Sequence, residues 1–185
     1  MIDKKELFKL RTGYHLYLVN KWSNKILNNF PLELENDRKL FEKERDEHDK
    51  LKWVEPEYTP YVELTWDYKC KELGFKNEIS AEIKDKIHEA TLHHIKRHKH
   101  HPEYWSDDVY LNKEDRDKPP GSIVDASKMP LVYIASMVAD WFAMSEEKGG
   151  HPKDWADKNV NIRWKFNDEQ VTLIYNLIEK IWDKT

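Results

Sequence analysis

Four places in the chain put metal-binding residue types where helical spacing turns them toward apolar neighbours. His15 lies in line with Phe8, Val19, Trp22 and Ile26, at i−7, i+4, i+7 and i+11, on the flank of a helix that meets a core. A histidine there either hydrogen-bonds a backbone carbonyl or offers a ring nitrogen to a cation. Asp140 stands in a segment that is apolar nearly all round, between Met137 and Met144 and beside Val138, Trp141 and Phe142. An ionised carboxylate in that company needs a cation, a buried Lys or Arg, or several donors. His48-Asp49 can bind one ion from a helix end, the imidazole supplying a nitrogen and the carboxylate an oxygen able to bridge two cations. In a chain with 35 acidic residues such a pair also arises by chance.

The fourth place is a histidine cluster. Nine histidines are present and six of them lie between His88 and His101. Ile79, Ile83, Ile87 and Ala90 mark the inner face of one helix, and the next position on that face is His94, followed at i+4 and i+7 by His98 and His101. His88 shares a side with Lys84 and Asp85 and is expected in solvent. Lys96, Arg97 and Lys99 suit a basic helix end facing the helix dipole, but that does not account for a histidine continuing an isoleucine stripe.

Only five glycines interrupt a pattern of apolar residues spaced three and four apart, which predicts helices rather than strands. The expected helices cover about 3–28, with Leu7, Leu10, Tyr14, Leu18 and Trp22 on one stripe, then 36–52, 57–73, 80–101, 130–147 and 168–184. Pro102 makes a boundary after His101, and residues 102–128, with Pro119-Pro120-Gly121, read as a long exposed loop of the kind often used for lids or binding. The expected fold is all-α, a bundle of about six helices. Residues 148–185, including His151, Trp155, Trp164 and Phe166, are read as packing.

Composition narrows the classes. The formal charge of −4 over 185 residues argues against a long nucleic acid as partner. A mean hydropathy of −0.91 would suit disorder, but 8 Trp, 9 Tyr and 6 Phe can close a core from few positions. Cys70 is the lone cysteine, so a reducing compartment is expected. Met1–Glu6 lacks the apolar run of a signal peptide, and the longest apolar stretch, Met129–Met144, contains Asp140 and is too short to span a bilayer. A soluble, cytoplasmic protein with no membrane partner is the expectation, and eight Trp would suit a homodimer interface.

The succession His15, His48-Asp49, the histidine cluster and Asp140 resembles the metal site of the HD-domain superfamily. That superfamily is an all-helical fold of metal-dependent phosphohydrolases with a few di-iron oxygenases. The run His48-Asp49-Lys50-Leu51-Lys52 is similar to its His-Asp-x-x-Lys version, and Met129–Ser145 looks like the helix carrying its last Asp ligand. With Glu57-Tyr58-x-x-Tyr61 and His100-His101-Pro102-Glu103-Tyr104-Trp105, residues 10–147 are also similar to a family of small, uncharacterised phage and bacterial proteins. The resemblance implies an HD-like metal-binding domain over 1–147, with 148–185 an extension whose final helix packs on it.

Carried over by position, the resemblance assigns His15, His48, Asp49 and Asp140 to a first metal and lets Asp49 bridge to a second. His94 and one of His100 or His101 would then hold the second ion, with His100 the expected ligand and His101 facing substrate. Binuclear members place those two histidines on different helices, whereas His94 and His100 are six residues apart, and the Gly preceding the Lys is Leu51 here.

The implied chemistry needs one or two divalent cations (Mn, Co, Mg, Fe or Zn). Asp49 would orient the attacking water, and Lys52, with Arg97 or Lys96, would neutralise phosphate oxygens. Tyr104 and Trp105 could stack a base. Glu55 and Glu57 are candidate proton relays, though exposed loop acids are the simpler reading. The expected function is therefore a metal-dependent phosphohydrolase acting on a small nucleotide or related phosphate ester, in a bacterial or phage-infected cell. A di-iron oxygenase on the same scaffold is one alternative. A non-catalytic, phage-type factor binding a nucleotide or a protein is the other.

Overall fold

A helix that is apolar on every side must be wrapped by others, and the segment carrying Asp140 is that helix. The structure, a computed structural model, describes residues 3–29, 35–107 and 124–183. Among them run seven α-helices: α1 (Lys4–Asn29), α2 (Glu35–Glu47), α3 (Tyr58–Glu72), α4 (Ala81–Ile95), α5 (Leu131–Lys148), α6 (Pro152–Asn159) and α7 (Asp168–Leu177). A π-helical turn, Ile178–Trp182, continues α7. The only strands among the described residues are two residues each, β1 (Val124–Asp125) and β2 (Trp164–Lys165), paired in parallel. The protein is an all-α bundle.

Twelve of the 18 residues of α5 are buried, so this helix forms the axis of the molecule. Leu18, Trp22 and Ile26 of α1, Phe41 of α2, and Leu173, Ile174 and Leu177 of α7 join its side chains in one core. The buried line of α1 runs through Phe8, His15, Val19, Trp22 and Ile26. The other expected stripe fails at its start, because Leu10 and Tyr14 are exposed, while its Leu18 and Trp22 are buried.

Two helices end earlier than their periodicity predicts, and both breaks serve the site. α2 stops at Glu47 rather than continuing to Lys52, because Asp49 takes a left-handed backbone (φ 54°) before a 3₁₀ turn, Lys50–Trp53. Aspartate tolerates that conformation better than most residues. α4 stops at Ile95 rather than His101. Pro102 holds His101 extended, with ψ 129°. The Lys96 ammonium folds the chain back by donating to the carbonyls of Glu103 (2.9 Å) and Ser106 (3.0 Å).

Residues 102–105 of the expected loop form a 3₁₀ turn; Pro119-Pro120-Gly121 lies outside the described residues. The α6 helix was not expected from the periodicity. Its eight residues begin at Pro152, with His151 as the N-cap.

The entry to α5 is fastened by Gln170 of α7. This buried amide donates to the carbonyls of Ala126 (3.1 Å), Ser127 (3.3 Å) and Met129 (2.6 Å). Gln170 also completes a capping box with Asn167 at the start of α7.

Candidate metal centre

The ends of α2 and α4 meet the middle of α1 and α5 at one point. From α1, His15 Nε2 lies 3.1 Å from Asp140 Oδ1 of α5 and 3.7 Å from Asp49 Oδ2. From the end of α2, His48 Nε2 lies 3.7 Å from Asp140 Oδ1 and 3.8 Å from Asp49 Oδ2. The other oxygen of Asp49 faces the opposite way: Oδ1 is 3.2 Å from His94 Nε2 and 4.0 Å from His100 Nε2. One carboxylate thus stands between two groups of donors.

The donors fall into overlapping groups whose ligand atoms lie within 4.8 Å of one another: His15, His48 and Asp140; His48, Asp49 and His100; His94, His100 and His101; and Asp49, His94 and His98. Buried His and Asp clusters of this kind could hold a metal ion. Orphaned polar atoms sharpen the fit. Both ring nitrogens of His48, Asp49 Oδ1, His98 Nε2 and His101 Nε2 are buried without a hydrogen-bond partner, a cost that folded proteins rarely tolerate unless something else satisfies the groups. The Asp49 Oδ1 contact with His94 is close enough for charge attraction but off the line a hydrogen bond requires.

A second rank of residues orients the first. Glu57, fully buried just before α3, accepts at Oε2 from His94 Nδ1 (2.9 Å) and pairs through Oε1 with His93 Nδ1 (2.7 Å). With Nδ1 engaged, His94 turns Nε2 toward Asp49, the usual way a carboxylate fixes a ligating imidazole. Lys52, on the 3₁₀ turn after Asp49, donates to Asp49 Oδ2 at 2.5 Å.

Burial and charge set the protonation states. Burial pushes the Asp49 carboxyl up, but Lys52, His48 and His94 outweigh it and hold the group well below the usual range. Asp140 follows the same course, burial being overcome by His15 and His48. For Lys52, burial favours the neutral amine, and Asp49 reverses that and keeps it charged. Burial, reinforced by neighbouring histidines, drives His100 and His101 well below the ordinary imidazole value and His98 to about 4. His15 and His94 go the other way: burial lowers both, but Asp140 and Asp49 beside His15, and Asp49 and Glu57 beside His94, outweigh it and raise them. The lowered imidazoles are in the neutral form that binds metal.

The site opens into a cleft of about 570 Å³. His15, Asp49, Lys52, His94, His100, His101 and Asp140 all line it. It is also lined by Trp141 and Lys148 of α5 and, from the residues that follow, by Trp155, Lys158, Arg163 and Trp164. Residues 148–185 therefore do more than pack: Phe166 is a core side chain, but His151, Trp155 and Trp164 face the cleft.

Several expected residues fall elsewhere. Arg97 is exposed and does not line the cleft, because the early end of α4 leaves the inner side of the turn to His94 and His98. Tyr104 is also outside the cleft: the 3₁₀ turn buries Pro102 and Glu103 and leaves Tyr104 outward against Trp105. Trp105 is occupied in packing, its indole donating to the Lys99 carbonyl. Lys96 is committed to the two carbonyls that bend the chain. Glu55 is exposed, as an ordinary loop acid would be, whereas Glu57 is buried. Spacing alone did not distinguish Glu57 from Glu55. Its partners are 36 and 37 residues away, so only the approach of α4 to α3 reveals it.

Residues 4–180 match a family described as a family of unknown function (DUF5662). The chain belongs to DUF5662. The match takes in α1 through α7, so within this family the cleft wall after Lys148 is part of the same unit as the histidine cluster. No curated protein and no solved structure matches the chain. No described helix of this DUF5662 member is long and apolar enough to cross a membrane.

Proposed function

We propose that the protein is a metal-dependent phosphohydrolase of the HD-domain type, acting on a small nucleotide or a related phosphate ester. The observation that carries this reading is Asp49, whose Oδ2 faces His15 and His48 while its Oδ1 faces His94 and His100. A carboxylate divided in this way suits one ion held by His15, His48, Asp49 and Asp140. It equally suits a second ion held by Asp49 with His94, His100 and His101. When bound, such ions lower the pKa of a water and polarise a phosphoryl oxygen.

The chain's own residues supply the rest. Lys52 lines the cleft with its charge against Asp49, where it can neutralise an equatorial phosphoryl oxygen. Asp49 and Asp140 converge on His15 and His48 and orient a water by accepting from it. Glu57 keeps His94 in one tautomer and one orientation. The cleft has room for a molecule the size of a nucleotide, and a net charge of −4 disfavours long nucleic acids.

A di-iron oxygenase is the second reading, favoured by the nitrogen-rich group His94, His100 and His101 beside the shared carboxylate. Metal content separates the two. Protein purified without chelator or nickel resin is expected to carry about one or two equivalents of divalent metal. Asp49→Ala and Asp140→Ala should lose it, and His88→Ala should keep it. Mn, Co or Mg with release of inorganic phosphate from a nucleotide panel supports the hydrolase; two tightly held irons without phosphate release support the oxygenase. No metal in the wild-type protein, even after soaking with Mn, would overturn both.

A further inference from the structure

The cleft of the metal centre is lined also by tryptophans, which are not equivalent. Trp164 is buried and fully engaged. Its ring stacks on Trp141 with centroids 5.9 Å apart and planes 17° from parallel. Its indole donates to Glu103 Oε1 at 2.9 Å, and the Arg163 guanidinium lies 4.9 Å from its ring centre. Trp155 meets Trp164 edge-on at 6.3 Å and 61°, and it remains 44% exposed although it lines the cleft.

A large apolar ring left half uncovered inside a concave site, and steadied from behind by another ring, is a platform for a planar group. Asp154, the residue before Trp155, also lines the cleft, and two lysines beside the ring offer an anion its partners. Lys158 follows Trp155 by three residues, on the same side of α6. Lys148 closes α5 on the same cleft, and neither lysine has a carboxylate within 4 Å among the described residues.

Resting on the phosphohydrolase reading, we propose that the substrate carries a planar heteroaromatic base that stacks on Trp155. Its phosphate reaches toward the His/Asp floor, and Lys148 and Lys158 neutralise it along the way. The determinant of base recognition thus lies in α6, outside the segment that carries the histidines and aspartates. A cleft of about 570 Å³ has room for both parts of such a molecule.

The test uses the full chain with its metal and three probes: the non-cleavable phosphonate analogues of adenosine 5′-monophosphate and of ribose 5-phosphate, and adenosine itself. Binding is read by calorimetry and by quenching of tryptophan fluorescence. The wild-type protein is expected to hold the adenosine phosphonate about tenfold tighter than the ribose phosphonate, the scale of one base–aromatic stack. Trp155→Ala should abolish that preference without changing ribose phosphonate binding, and Trp155→Phe should keep most of it.

Equal binding of the two phosphonates by the wild-type protein, or an unchanged preference in Trp155→Ala, overturns the platform and leaves the phosphate reading standing. If neither phosphonate binds, the phosphate reading fails. Adenosine binding that is lost in Trp155→Ala would then keep the platform, and absence of adenosine binding would remove it too. A change in sedimentation of Trp155→Ala with no change in ligand binding would make Trp155 a contact between copies and also overturn the platform.

Discussion

Removing the Asp49 carboxylate takes away the group that faces both sets of donors and the counter-charge of Lys52 at once. The second loss is testable without any metal. Lys52 is largely enclosed, with 22% of its side chain exposed, and Asp49 is the carboxylate it touches. Breaking such a pair from one side leaves an uncompensated charge, whereas replacing both partners with apolar groups does not. In metal-free protein, Asp49→Ala is therefore expected to lose about 3 kcal/mol of stability, and Asp49→Ala with Lys52→Met should recover most of it. Urea unfolding of both variants and of Lys52→Met closes the cycle. A double variant no more stable than Asp49→Ala would show that the ion pair is not what Asp49 contributes to the fold.

At the scale of elements, the position of Asp140 depends on how α5 is entered. β1 and the turn after it lead into α5, and Gln170 of α7 holds three carbonyls of that stretch through a single amide. Gln170→Ala leaves buried acceptors unsatisfied and opens a cavity, so a loss of about 2–3 kcal/mol is expected. The denaturation midpoint should fall with little change in slope. Metal content should survive where the variant remains folded, because none of the donors touches Gln170. Retention of full stability would mean that water replaces the amide and that α5 is held by its apolar contacts alone.

For the whole molecule, the part after Lys148 and the part before it share one core. Ile174, Leu177, Ile178 and Ile181 are buried with the side chains of α1 and α5, and Trp182 stacks on Trp22 with centroids 4.7 Å apart. Each such side chain contributes about 1.5–3 kcal/mol when fully buried, and a domain's whole margin is about 5–15 kcal/mol. A chain ending at Lys148 is thus expected to lose cooperative unfolding, as read by circular dichroism and calorimetry. A sharp thermal transition in that shorter chain would make residues 1–148 an autonomous unit and the rest a dispensable wall.

Periodicity and composition are enough for the helical class and for the inward direction of His15, His94 and Asp140, because a helix's own 3.6-residue repeat decides which side of it is apolar. The His48-Asp49 pair is legible for a related reason: both residues lie at the end of a helical pattern, next to a lysine that can reach them. Other features are written in no local pattern. The Glu57 contact with two histidines depends on α3 meeting α4, and the division of Asp49 between two donor groups depends on the left-handed backbone that ends α2 early. The cluster of His94, His98, His100 and His101 forms because a lysine bends the chain where periodicity would extend the helix. The tryptophan wall reads in sequence as core, and Trp155 is left facing the cleft only by the packing of α6 beside β2. Local spacing sets which way a side chain points; what it meets there is set by contacts between residues far apart in the chain.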